Sequence, residues 1–75
     1  MAVKKILLTG ASGRIGRTWF KAMCNTYDFI LTDLHMPDYE IGSPHQFFQA
    51  DLAKQGAAEK LLTAAEPDAV VHLAG

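Results

Sequence analysis

The stretch ILLTGASGRIGR, Ile6 to Arg17, decides how the rest of the chain is read. An apolar run gives way to glycines at Gly10, Gly13 and Gly16, then continues into Arg17, Thr18, Trp19 and Phe20. Glycine loses more backbone freedom on folding than any other residue. Glycines at intervals of three therefore need a physical reason. Val3 to Thr9 reads as a buried strand bounded by Gly10. From Arg14 to about Asn25, Ile15, Thr18, Trp19, Ala22 and Met23 fall on one helical face. The glycines lie where a strand hands over to a helix.

Outward from that junction, Asp28 to Thr32 is a second apolar run ending at Asp33. Leu34 to His45 is a link rich in turn formers, with Pro37, Gly42 and Pro44. Gln46 to Asp51 reads as a third, short strand. Lys54 to about Ala65 reads as a second helix with Ala58, Leu61, Leu62 and Ala65 on one face, stopped at Glu66–Pro67. Asp68 to Gly75, DAVVHLAG, is a fourth strand. Apolar strands alternating with amphipathic helices predict an α/β fold, an open parallel sheet covered on both faces. The link from Leu34 to His45 is at the lower length limit of a parallel crossover, so an irregular crossover is expected there.

The 75 residues make a single small domain, 1–75. A core of this size supplies only roughly 3–5 kcal/mol. A hydrophobic fraction of 49% sets the chain apart from disordered segments, and a net charge of −1 gives no electrostatic case for nucleic acid or an acidic membrane surface. Cys24 is the only cysteine, which excludes a disulfide framework and fits a reducing cytoplasm. It reads as a small buried hydrophobe. The apolar run Ile6–Leu8 is too short for a signal peptide or a membrane span. A soluble, cytoplasmic chain is expected.

A loop from a parallel strand into a helix presents the helix's unpaired N–H groups, and the positive end of its dipole, at the carboxyl end of the sheet. That makes an anion site. Gly10 allows the tight turn, Gly13 lets a pyrophosphate approach the backbone, and Gly16 lets the helix pack closely on the strand. The spacing gains weight from its context: a preceding strand, a following helix, and an acidic residue about 20 residues on, here Asp33. A carboxylate at Asp33 accepts ribose hydroxyls and repels a 2′-phosphate, which favours NAD over NADP. A phosphate-binding loop of the G-x-x-x-x-G-K-[ST] type fails on two counts. The gap from Gly10 to Gly16 is one residue too long, and Arg17 stands in place of the lysine.

These motifs resemble the extended short-chain dehydrogenase/reductase superfamily, in its NAD-dependent epimerase/dehydratase group. Thr9-Gly10-Ala11-Ser12-Gly13-Arg14-Ile15-Gly16 corresponds to that family's T-G-x-x-G-x-x-G, and Asp33 to its acidic ribose ligand. Asp51-Leu52 is similar to its Asp-Leu/Ile pair beside the adenine. The end of the fourth strand, Leu73, Ala74 and Gly75, resembles the segment that passes the nicotinamide ribose. The resemblance implies a Rossmann-like half fold of about four strands and two helices, truncated, with NAD as cofactor. For a complete member it implies hydride transfer on nucleotide sugars, uronic acids or related carbonyl compounds. The GRIGR pattern with a short second strand is similar to uronate dehydrogenases. The departure is in the acid/base machinery. The family's Tyr-x-x-x-Lys pair has no counterpart here, since Tyr27 is followed four places on by Leu31 and Tyr39 by Ser43.

The remaining residues carry paired readings. Asp51 either bonds the adenine amino group or caps the turn into the second helix. Arg14 lends charge to the pyrophosphate, Ile15 lies beside it, and Arg17 reads as surface. Trp19 is expected on the sheet, and Phe20 is expected to meet another part of a larger enzyme or a partner chain. His35 reads as a loop residue or a border of the adenine pocket. His72 reads as a partly buried, satisfied strand histidine. His35, His45 and His72 are too irregularly spaced for a local metal motif. The fourth strand is expected at the sheet edge, a template for pairing into a homodimer. Three functions follow: the cofactor-binding front of an NAD-dependent epimerase, dehydratase or dehydrogenase, inert by itself; a stand-alone NAD-binding or sensing module; or a non-catalytic assembly domain.

Overall fold

A computed structural model of the chain describes residues 4–73. The elements run β1 (Lys5–Thr9), α1 (Arg14–Met23), β2 (Asp28–Asp33), β3 (Gln46–Gln49), α2 (Ala57–Ala65) and β4 (Ala69–His72). The strands form one parallel sheet in the order β3-β2-β1-β4. This is the open α/β half fold expected from the alternating pattern. The link between β2 and β3 crosses over without a helix.

The sheet sorts its apolar residues by strand parity. Ile6, Leu8, Phe29 and Leu31 point to one face, where Phe20 of α1 and Ala11 complete the cluster. Leu7 and Ile30 point to the other, against Leu61 and Ala65 of α2. Successive strand residues face opposite sides, so a strand buried on both sides must be apolar along its length. β1 and β2 meet that demand at Ile6–Leu8 and Phe29–Leu31, and the buried hydroxyls of Thr9 and Thr32 that follow are paired with His72 Nδ1 and the Phe48 carbonyl. Tyr39, Ile41 and Phe47 pack on the first face, so the crossover link does part of the covering that a helix would. At the opposite ends of the strands, the Asp68 carboxylate accepts the N–H groups of Lys4 and Lys5 at 3.0 and 2.9 Å, clipping β4 to β1.

The α1 face differs from the one the periodicity suggests. Ile15, Thr18 and Ala22 are exposed, whereas Gly16 and Phe20 are buried. The helix is turned by about one residue, and the glycine contact is the cause. A Cβ on Gly16 would collide with the carbonyl oxygen of Gly10 and come within 2.8 Å of the Ala11 Cα. Gly16 therefore has to face the loop, and Phe20, one turn on, follows it into the core. Phe20 is 3% exposed and packs edge-on to Phe29 and His45, with ring centroids 5.4 and 4.9 Å away. It is a core residue and not a docking residue. Trp19 does lie against the sheet, half-buried and edge-on to Phe29.

Smaller differences have local causes. α2 begins at Ala57, after Gly56 in the left-handed region at φ 81°, and not at Lys54. The residues between are occupied by a turn in which Ala57 N–H donates to the Lys54 carbonyl. β3 ends at Gln49, which leaves Asp51 beyond the strand. Cys24 is half-buried against the first cluster. On the second face, Ala58 and Leu62 of α2 do not reach the core. With Leu7, Leu61 and Val70 they line a groove of about 220 Å³ beside β4, where Val70 is half exposed. Among the described residues no helix is long and apolar enough to cross a membrane.

Candidate functional site

The carboxyl ends of β1, β2 and β3 open into a cleft of about 370 Å³. Gly10 forms one wall, Thr32 to Leu34 the floor and Ala50 to Ala53 the other wall, with His72 at the β4 side. Four of the residues singled out in the sequence, Gly10, Asp33, Asp51 and Leu52, come together here. Gly13, Arg14 and Ile15 stand beside it, exposed at the start of α1. Gly16 is buried beneath the loop. Leu73 follows β4, half-buried, with its N–H on the Thr9 carbonyl at 3.1 Å. Ala74 and Gly75 lie outside the described residues.

Each glycine of the loop has a different reason to be glycine. Gly10 has φ 74°, a conformation that a side chain disfavours, and it turns the chain out of β1. Gly16 is required by the close approach described above. Gly13 is neither strained nor crowded. Its φ is −79°, it is exposed, and an added Cβ would meet only the Gly10 carbonyl at an ordinary 3.4 Å. Neither strain nor crowding within the chain demands glycine at this position, and its exposed backbone stays open to close approach.

Gly13 is also the N-cap of α1 and has no side chain to cap it. Helix N-termini leave their first N–H groups without intrahelical partners, and the first intrahelical bond is Arg17 N–H to the Gly13 carbonyl at 2.9 Å. The first turn contains no acidic residue and two arginines, Arg14 and Arg17. Arg17 sits 4.0 Å from Asp38, an exposed pair of little energetic weight. The electrostatics favour an anion.

Asp33 is held by the backbone. Its Oδ1 accepts the Leu34 N–H at 2.7 Å and its Oδ2 the Ser12 N–H at 2.9 Å. An ionised carboxylate offers about four acceptor positions; two remain beyond these N–H groups, at a residue that lines the cleft. Asp51 serves as a turn cap, its Oδ1 accepting the Ala53 N–H at 3.0 Å while the side chain borders the cleft. The capping reading of Asp51 is thus realised, at a residue that also lines the cleft.

Tyr39, His45 and His72 carry structure that the sequence pattern did not reveal. The Tyr39 hydroxyl donates to the Ala11 carbonyl at 2.8 Å, across 28 positions of sequence. Burial, with the carboxylates of Asp33 and Asp38, pushes its pKa above the ordinary tyrosine value. His45 Nδ1 accepts the Phe29 N–H at 3.0 Å beside the start of β3. His72 is exposed rather than partly buried, and its Nδ1 pairs with the buried Thr9 hydroxyl at 2.6 Å. Strand parity alone puts His72 with Val70 on the open side of β4. No local signal marks Tyr39.

The family model described as "NAD dependent epimerase/dehydratase family" matches residues 6–75. The crystal structure of uronate dehydrogenase from Agrobacterium tumefaciens is 34% identical, with a TM-score of 0.78, over 97% of this chain and 27% of that one. A point mutant of the same enzyme complexed with NAD is 33% identical, with a TM-score of 0.78, over 96% of this chain and 26% of that one. A short chain dehydrogenase from Leptospira borgpetersenii with bound NAD+ shares the fold at a TM-score of 0.86 and 23% identity, over 100% of this chain and 32% of that one. The chain spans about a quarter to a third of the length of these solved structures. No curated protein sequence matches it.

Proposed function

Because the chain belongs to the NAD-dependent epimerase/dehydratase family, we propose that it forms the dinucleotide-binding front of an NAD-dependent dehydrogenase or epimerase of uronate-dehydrogenase type. The observation that carries this reading is Gly13, an N-cap glycine that neither strain nor crowding demands and that leaves the backbone open to an approaching ligand. The first-turn N–H groups of α1 receive the pyrophosphate, with Arg14 adding charge and Ile15 flanking it. Asp33 takes the adenosine ribose hydroxyls through its remaining acceptor positions. Asp51 and Leu52 border the adenine, and the segment from Leu73, with Ala74 and Gly75 after it in sequence, is assigned to the nicotinamide ribose. Asp33 selects NAD over NADP, because a 2′-phosphate would bring like charge onto a carboxylate already held by two N–H groups.

Bound NAD supplies a hydride acceptor; the residues of this chain bind and orient it. None of them supplies the family's Tyr-x-x-x-Lys acid/base pair. The 75 residues alone are therefore inert toward substrate, and the substrate of a whole enzyme, a uronate or another sugar, is chosen elsewhere. Calorimetric titration tests this reading. Saturable NAD binding, weaker NADP binding and no NADH formation with uronates support it, whereas equal heats for both nucleotides remove Asp33 from its assigned role.

A second reading has its own observation. β4 is an edge strand that pairs only with β1 among the described residues; its own Val70 is half exposed, and exposed Leu62 of α2 lies beside it. Unpaired strand edges recruit further strands, so pairing with a second copy through β4 is the assembly this surface supports. A monomer in sedimentation at high micromolar concentration removes that reading and leaves the first intact.

A further inference from the structure

One peptide unit of the glycine loop is held at both ends. The Ala11 carbonyl accepts the Tyr39 hydroxyl at 2.8 Å. The N–H on the other side of that same peptide, Ser12's, donates to Asp33 Oδ2 at 2.9 Å. In a planar trans peptide these two groups point in opposite directions, so turning the unit breaks both bonds together. The flanks are tied as well: Ala11 N–H donates to the Thr32 carbonyl at 3.2 Å, and Ser12 Oγ donates to the His35 carbonyl at 2.5 Å. The ring of Tyr39 lies on buried Phe20, with centroids 5.4 Å apart, so the core sets the height of its hydroxyl.

We propose that Tyr39 is a positioning residue for the dinucleotide: together with Asp33 it clamps the Ala11–Ser12 peptide and so fixes the direction of the N–H groups that follow at Gly13, Arg14 and Ile15. The proposal rests on the dinucleotide reading of the site. Its physical content is pre-organisation. A loop already set in its bound form binds without an ordering cost, and a loop free to turn does not. Tyr39 is not among the residues that line the cleft; it acts through the peptide it holds. The same contact explains how an irregular crossover link contributes to the site.

The test is Tyr39→Phe in the isotope-labelled chain, which keeps the ring on Phe20 and removes only the hydroxyl. Without ligand, the Ala11 carbonyl carbon and Ser12 amide resonances move while strand resonances stay in place. NAD binding weakens about three- to tenfold, the range of one neutral hydrogen bond. Tyr27→Phe, whose ring packs on Phe29 away from the loop, binds NAD as the unmodified chain does. In the unmodified chain, Ser12 amide exchange is slow on the scale of β1, a measurement that does not depend on the variant folding. Ala11 and Ser12 resonances unchanged in Tyr39→Phe, or Ser12 exchanging at free-loop rates, overturn the clamp. A dissociation constant within twofold of the unmodified chain overturns the positioning role and leaves the site standing. No NAD binding by the unmodified chain overturns the site reading and the positioning role together.

Discussion

Replacing Gly13 by alanine separates what the fold needs from what a ligand needs. At φ −79° an alanine adopts the backbone without strain, and its Cβ meets nothing closer than the Gly10 carbonyl at 3.4 Å. Two small terms then oppose each other. A less flexible unfolded chain adds about 0.4–1 kcal/mol, and the loss of a favourable N-cap residue costs a similar amount, up to about 1 kcal/mol. The unliganded chain should therefore keep its stability within about 0.5 kcal/mol. Binding should respond quite differently. A methyl group where phosphate oxygens approach displaces them from charge-assisted hydrogen bonds worth about 1.5–3 kcal/mol, a loss of about ten- to hundredfold in NAD affinity. Urea unfolding and calorimetric titration of the same preparation measure both. Unaltered NAD affinity, or a stability loss above about 1.5 kcal/mol without ligand, refutes the argument that Gly13 answers to a ligand.

Other perturbations bear on the fold. Gly16→Ala sets overpacking of about 1–3 kcal/mol against a helix-propensity gain of about 1. The methyl meets backbone atoms of Gly10 and Ala11, which cannot swing aside, so the upper part of that cost applies, a net loss of about 1–2 kcal/mol, and Tm should fall by roughly 4–16 °C in a thermal melt. Phe20→Ala empties the centre of the first cluster at a cost of about 3–5 kcal/mol, as much as the core of so small a chain supplies, and the dispersed amide spectrum should collapse. The pH dependence of unfolding has two named limbs. Asp68, accepting two N–H groups, has its pKa lowered, so its stabilisation is present above the ordinary carboxylate value near 4 and is lost as pH falls through its folded value. Tyr39, with its pKa raised by burial first, stabilises fully below about pH 10 and ceases to as pH rises through its folded value. Asp68→Asn should flatten the acid limb of the urea midpoint and Tyr39→Phe the alkaline limb.

Much of this molecule is legible from local signals. Ile6, Leu7 and Leu8 of β1 and Phe29, Ile30 and Leu31 of β2 are consecutive buried apolar residues, so both parities announce a sheet covered on two faces. Gly10 and Gly16 carry stereochemical demands that their spacing already implies. What the pattern obscured was the rotation of α1. Periodicity counts Ile15, Trp19 and Met23 as a stripe, but the contact of Gly16 with the loop outranks it and brings Phe20 inward. Tyr39 and His45 were opaque for another reason. Their partners, Ala11 and Phe29, lie 28 and 16 positions away, and only the sheet order β3-β2-β1 brings the crossover link over them. Asp33 was read as a ligand residue alone. In the fold it also ties two backbone segments together, so the carboxylate proposed for the ribose is at the same time a structural part of the glycine loop.

The most direct measurement is a titration of NAD and NADP into the isotope-labelled chain, followed through its backbone amide resonances. The account predicts saturable shifts concentrated at Gly10 to Gly16 and at Asp33, reached at lower concentration with NAD than with NADP. A well-dispersed spectrum that ignores both nucleotides would contradict it, leaving Gly10 with its turn, Gly16 with its helix contact and Gly13 with its N-cap position alone.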